Sequence, residues 1–224
     1  MATFADISTE VQDALARTDS TVTDKIAGWI NRVQREAANR YDFNFMRTRT
    51  TLSIVDATQS YALPSDFKAA LSAKIQKTSS WVDLEPLGEQ EARSLYAPDG
   101  AGEPEAYTIR GTNLLVWPPD PNASFTLELV YSAWPATLSG TTTNWFTDNA
   151  ADMLVAGALA LGYRLLGAAE DYAIWRATFQ QELAAAIVAD VAIGLPSEDR
   201  FRVAGLGIDY HASETSVLVA DTDD

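Results

Sequence analysis

The 224-residue sequence contains no cysteine and one histidine, His211. The first absence excludes a disulfide framework and thiolate chemistry, and it leaves the redox compartment open. The second leaves the chain short of the side chain that most often serves as general base or metal ligand. His211 lies in the last stretch of sequence, where it reads as a solvated side chain. There is no phosphate-cradling glycine loop, no nucleophile elbow and no histidine-containing metal spacing. The closing "DTDD" reads as a frayed acidic end and not as a cation site. Carboxylate pairs occur in any acidic protein and identify nothing without a pocket. An enzyme is therefore not expected, and no cofactor or metal is required.

Long hydrophobic runs are missing too. The most apolar one, Met153–Tyr163, is too short to span a bilayer and carries Gly157 and Gly162. It predicts a buried helix. The start "MATFADISTEVQ" lacks the basic residues and apolar core of a signal peptide, so none is expected. Positive charge is scarce: 16 Lys and Arg face 31 Asp and Glu, for a net charge of −15. Such a surface repels phosphate and argues against tight electrostatic binding of nucleic acid. It does not argue against a channel through which DNA slides. The basic residues are unevenly placed, with Arg17, Lys25, Arg32, Arg35, Arg40, Arg47 and Arg49 all before position 50.

What is present is the material of a folded core. Hydrophobic residues make up 47% and charged residues 21%, the ordinary balance of a folded soluble protein. The length suits one domain, or one domain with a large insertion. A short helix is predicted from about Asp6 to Arg17, with Ile7, Val11, Ala14 and Leu15 on one side. Thr21 and Asp24 are spaced like a capping box ahead of a second helix, about Val22 to Tyr41. There Val22, Ile26, Trp29, Ile30, Val33 and Ala37 fall on one arc at 3.6 residues per turn. Asn31, Arg32, Arg35 and Asn39 take the other side, either as a solvated face or as one that meets an acidic neighbour. Arg32 and Glu36 are spaced to pair weakly.

Between about Arg47 and Pro135 the texture turns to strands: "TTLSIV", "AALSAKIQ", "WVDLEPL", "AYTIR", "NLLVWP" and "FTLELVY", punctuated by Pro, Gly, Asn and Ser. Only "EQEARSLYA" interrupts, as a short helix. Trp81, Trp117 and Trp134 fall in this region, where strand aromatics either pack the sheet or form a stacking platform for sugars or bases. Helices resume near Trp145. Asp152 and Arg164 are the only charges between positions 149 and 169, so the next helix is apolar nearly all round and must be buried on several sides. That predicts a packed position in the helical part or against another subunit, with Ala158 and Ala160 as inter-subunit candidates. The last helix, about Glu170 to Ala192, carries Tyr172, Trp175, Phe179, Leu183 and Ala186 on one stripe. Gly194 and Pro196 stop it. The remaining residues have no period with which to build a core of their own.

The order of elements carries more information than any single residue. "WINRVQREAANRYDFNFM" leads through strands to "SYALPSDF", then to "GEPEAYTIRGTNLLVWPPDP" and "LELVYSAWPATL". "NWF" opens the apolar helix, and "AIWRATFQQELAAAI" closes the series. This succession resembles the head-to-tail adaptor, or connector, proteins of tailed bacteriophages and phage-like gene transfer particles. The resemblance covers residues 20–190 or so.

It implies an α+β fold, in which an antiparallel helical bundle carries an inserted small β-rich module and an extended C-terminal arm. The segments expected are 1–46 and 141–193 for the bundle, 47–140 for the module and 194–224 for the arm. It further implies a structural virion protein of the neck, made in the bacterial cytoplasm. Assembled as a dodecameric ring below the portal protein, it would extend the DNA channel without specific DNA binding and offer a surface to tail or stopper proteins. In that setting Arg32, Arg35 and Arg40 are expected to meet acidic surface of a neighbouring copy. Phe201, Val203, Leu206, Ile208 and Tyr210 are expected to anchor the arm on the portal. The Pro64–Asp66 corner is expected to turn the module out of the bundle, with Tyr61 and Phe67 as anchors. Another neck or tail-completion component, or a carbohydrate-binding β module of a tail or baseplate protein, is the alternative.

Overall fold

The computed structural model of the chain describes residues 2–55, 58–77, 80–96, 102–119, 124–192, 201–202 and 209–210. The fold mixes helices and strands in two compact units, Met1–Tyr41 with Ser139–Asp224, and Asp42–Leu138.

The first unit holds helices α1 (Phe4–Leu15), α2 (Ser20–Arg40), α4 (Trp145–Asn149), α5 (Ala151–Leu166) and α6 (Ala169–Ala192). α1 starts earlier than its periodicity predicts, because Thr3 and Asp6 form a capping box that brings Phe4 into the helix. The expected box at Thr21 and Asp24 does not form. Asp19 is the N-cap, and its carboxylate is taken by Arg17 at 2.8 Å, so α2 begins at Ser20 without a side-chain cap. A second box, Asn144 with Thr147, opens α4. The Asn144 amide also donates to Gln34 Oε1 at 2.9 Å, which helps satisfy a buried polar side chain of α2.

α5 packs against α1, α2 and α6. Close approach is possible because of its glycines. A Cβ at Gly157 would lie 2.6 Å from Val33 Cγ1, and one at Gly162 would lie 2.9 Å from Leu15 Cδ1. Around them are buried Ile7, Val11, Ile26, Ile30, Met153, Leu154, Phe179 and Leu183. Each such large side chain contributes about 1.5–3 kcal/mol on leaving water. The apolar stretch from Met153 to Ala160 is thus buried within one chain, while Leu165 and Leu166 at the end of the helix stay exposed.

The second unit is a seven-stranded sheet in the order β1-β7-β3-β4-β5-β6-β2. Its strands are β1 (Arg47–Val55), β2 (Ser60–Ala62), β3 (Phe67–Lys77), β4 (Ser80–Pro86), β5 (Ala106–Arg110), β6 (Asn113–Trp117) and β7 (Ser124–Ala133). All neighbours are antiparallel except β4 and β5, which are joined by the short helix α3 (Glu89–Leu95). Ile54, Ile75, Leu84, Leu114, Leu127 and Leu129 alternate inward to form its core. α3 and β5–β6 enclose a second cluster of Ala92, Ala106, Leu115 and Trp117.

The Pro64–Asp66 corner lies wholly inside this unit. It joins β2 to β3, so it is not the turn out of the helical part that the resemblance suggested. Phe67 N–H donates to Pro64 O at 3.0 Å and closes the turn. The Asp66 carboxylate accepts from Tyr131 Oη at 3.0 Å, and its carbonyl accepts from Trp134 N–H at 2.7 Å. Phe67 stacks on Tyr131 with ring centroids 5.7 Å apart. Tyr61 is buried in the sheet core and its hydroxyl donates to Thr58 O at 2.7 Å. The two aromatics therefore anchor the corner to different strands of one sheet.

Candidate functional site

Among the described residues no group of three or more His, Cys, Asp or Glu is placed to hold a metal ion. No described helix is long and apolar enough to cross a membrane. A shallow cleft in the strand unit, bordered by Phe67, Lys68, Ala70, Leu87 and Tyr107, contains one titratable cation. That cation, Lys68, is held by Asp42 and lies 5.6 Å from the Trp134 ring centroid. Asp42 neutralises Lys68, and the other titratable group lining the cleft is Tyr107, whose hydroxyl is pushed up by burial. The three tryptophans do not form one platform. Trp117 is buried with its indole N–H donating to Thr108 Oγ1 at 3.2 Å, whereas Trp81 is exposed on β4. The next feature is an exposed, charged surface.

The basic side of α2 is the clearest such surface. Gly28, Asn31, Arg32, Arg35, Glu36 and Asn39 line a shallow groove along it. Arg32 and Arg35 are exposed there. Glu36 does not pair with Arg32 as its spacing suggests. It accepts from Arg40 Nη2 at 3.0 Å and from both terminal nitrogens of Arg176 on α6. Arg176 also sits 4.9 Å from the Phe179 ring centroid, which holds its guanidinium in place. Burial alone would raise the Glu36 carboxyl, but the Arg176 guanidinium, with Arg40 beside it, outweighs that and holds it below the usual glutamate range.

Glu36→Gln is expected to destabilise the chain by about 1–2 kcal/mol at neutral pH, measured by urea unfolding. Because the carboxyl is depressed on folding, its contribution is present in full above the ordinary glutamate range. It is lost as pH falls through the lower folded value. The gap between wild type and Glu36→Gln should therefore close well below about pH 4. A gap that persists in acid would assign the loss to packing instead of charge.

The other expected contact residues are dispersed. Ala158 and Ala160 are 0% and 1% exposed in the single chain, so they have no surface left to offer a neighbour. Arg40 is engaged by Glu36. Of the expected arm, Val203, Leu206 and Ile208 lie outside the described residues. Phe201–Arg202 and Asp209–Tyr210 form a two-residue antiparallel ladder. Sequence reading missed two features: the ion pair between Glu36 and Arg176, and a second apolar side of α6. The first leaves no local signal, being 140 residues apart in sequence. The second was visible as the seven-residue spacing of Ile174, Gln181 and Val188.

The chain thus combines a helical unit with a seven-stranded β unit. The profile of the SU10 adaptor protein family matches residues 2–201. The chain belongs to that family, and the resemblance to phage head-to-tail adaptors read from the order of elements is borne out. It is a phage structural adaptor protein. A search of curated proteins returns no match.

Proposed function

We propose that this chain is the head-to-tail adaptor of a tailed phage or a phage-like gene transfer particle. Its helices act as an antiparallel bundle, copies assemble as a dodecameric ring beneath the portal protein, and the ring continues the DNA channel. Tail or stopper proteins attach to its far side. The observation that carries this reading is the family match over residues 2–201. The net charge of −15 supports it, since a conduit must not hold the DNA that passes through. No turnover is involved.

Residues 194–224 form the arm that docks on the portal, with Phe201, Val203, Leu206, Ile208 and Tyr210 as anchors. A period-free segment after a helix stop has little to gain from packing on its own chain and more from a partner's groove or sheet edge. Mixing the full chain with portal rings and imaging by electron microscopy tests the reading directly, and an added ring at the portal's tail-facing end is the expected result. Truncation after Ile193 should leave thermal unfolding nearly unchanged and abolish portal binding. Normal portal binding by the truncated chain overturns the arm. A chain located elsewhere in the intact neck overturns the adaptor position and favours a stopper or tail-completion role.

A further inference from the structure

α6 has two apolar sides. Phe179, Leu183 and Ala186 face the core of the first unit. On the opposite side Ile174, Ala177, Gln181, Ala184, Val188 and Val191 recur at alternating steps of three and four, the spacing of a seam between helices. Ile174 is 62% exposed and Val188 59%, and with the alanines between them they make one continuous exposed strip, the kind of patch that marks a contact surface. No exposed residue from Ala173 to Val191 carries a charge, although the chain as a whole has 31 acidic and 16 basic residues.

We infer that this outward side of α6 is the seam by which one copy of the chain docks on the next, and that it lies along the neighbour's α2 at the Gly28–Asn39 face. The inference rests on the ring reading given above. Copies of −15 net charge repel one another, so a contact between them needs a strip that is free of acid. The α6 seam is such a strip. Its 24 residues give a face about 36 Å long and 10 Å wide, roughly 400 Å². That is about half of what one partner contributes to a stable interface. A single pair held by the seam alone would be weak, whereas a closed ring uses two contacts per copy.

α2 fits the receiving role for two reasons. Gly28 is exposed in mid-helix, and a Cβ there would meet nothing within 4 Å. The chain's own fold does not need that glycine, although glycine weakens a helix, but a second helix approaching closely would. Arg32 is exposed and makes no ion pair among the described residues, while Glu170, Asp171 and Glu182 border the α6 seam. Basic groove and acid-bordered seam are complementary. Two different surfaces in contact make a head-to-tail interface, which does not stop at a pair and gives a ring where the rotation between copies closes.

The chain lacks cysteine, so single cysteines are unique labels. Arg32→Cys lies near the middle of the α2 face, and Ala185→Cys is exposed at the edge of the α6 seam beside Gln181 and Val188, so a short linker should reach between them whichever way the helices run. In a concentrated mixture of the two variants, a short bismaleimide should give covalent dimer at least about tenfold above either variant alone. Dimer mainly from Ala185→Cys with itself would mean that α6 packs on α6, and would overturn the assignment to α2. In dilute solution Ala185→Cys should react with a bulky maleimide as fast as an exposed thiol. Protection there would mean that the chain's own residues cover the seam, and also overturns the inference. The pair Ile174→Glu with Val188→Glu should weaken self-association at least about a hundredfold, with the unfolding temperature of the dilute chain unchanged. If that variant assembles on portal rings like wild type, the seam is wrong and the adaptor reading stands. If the wild-type chain forms no ring on portal, the adaptor reading fails first and the seam with it.

Discussion

Ala158→Glu should leave the helical unit unfolded or close to it, with a loss of about 4 kcal/mol or more. Ala158 is fully buried on α5, which is enclosed by α1, α2 and α6 of the same chain. The neighbouring helix backbone has its donors engaged in its own turns, so an introduced carboxylate finds no hydrogen-bond partner at hand. Taking up a proton removes the charge but not the volume, and a longer side chain must still be forced between helices that meet at van der Waals distance. Typical domains hold only about 5–15 kcal/mol in all, so this one change removes much of the margin. Ala160→Glu, at a site 1% exposed, should behave alike. Circular dichroism and urea unfolding of the dilute chain decide it. Ala185→Glu, on the exposed side of α6, is the control and should shift stability by no more than about 0.5 kcal/mol. A native-like midpoint for Ala158→Glu would contradict the burial of α5.

The result also separates what the sequence made legible from what it did not. The near absence of charge between positions 149 and 169 showed that α5 is buried, but composition does not say by what. Its neighbours turn out to be α1, α2, α4 and α6, which bury Ala158 and Ala160 already in the single chain. The periodic face of α2 and the β-rich runs of the strand unit were legible because each has a strong local period. The start of α2 was not, since Arg17 competes for the capping carboxylate of Asp19. The Pro64–Asp66 corner was recognisable as a turn. Which elements it joins depends on β2 and β3 pairing with different partners, and pairing partners are a non-local property. α6 misled for another reason. With apolar residues on opposite sides, its core stripe could be found while the outer seam passed as background. Of the expected surface residues, Arg32 and Arg35 are exposed as a contact requires, on a face whose period was plain. Of the residues expected in an arm, Val203, Leu206 and Ile208 lie outside the described residues, in a stretch of sequence with no period to read.

Two glycine substitutions should move stability in opposite directions, and the comparison tests the packing of α5 and the purpose of α2's groove together. Helix propensity alone predicts the same gain, about 1 kcal/mol, for Gly157→Ala and Gly28→Ala. At Gly157 that gain meets an obstacle. The new methyl would sit 2.6 Å and 2.7 Å from the two γ-methyls of Val33 and 3.0 Å from Phe179 Cδ2. Val33 is β-branched and strongly prefers one rotamer in a helix, so it cannot swing both methyls clear, and α2 itself has to move. Overpacking of this kind costs about 1–3 kcal/mol and outweighs the propensity, so Gly157→Ala should destabilise by about 1–2 kcal/mol. Gly157→Leu adds three more carbons at the same point and should lose at least about 3 kcal/mol. At Gly28 no atom lies within 4 Å of the added carbon, so Gly28→Ala should stabilise the dilute chain by nearly the full 1 kcal/mol or so. Urea midpoints of the dilute variants are sufficient to read both signs. A stabilising Gly157→Ala would mean that α2 and α5 are not in close contact at Val33. A destabilising Gly28→Ala would mean that the chain's own fold uses that glycine, which removes one of the two reasons for placing a neighbouring helix there.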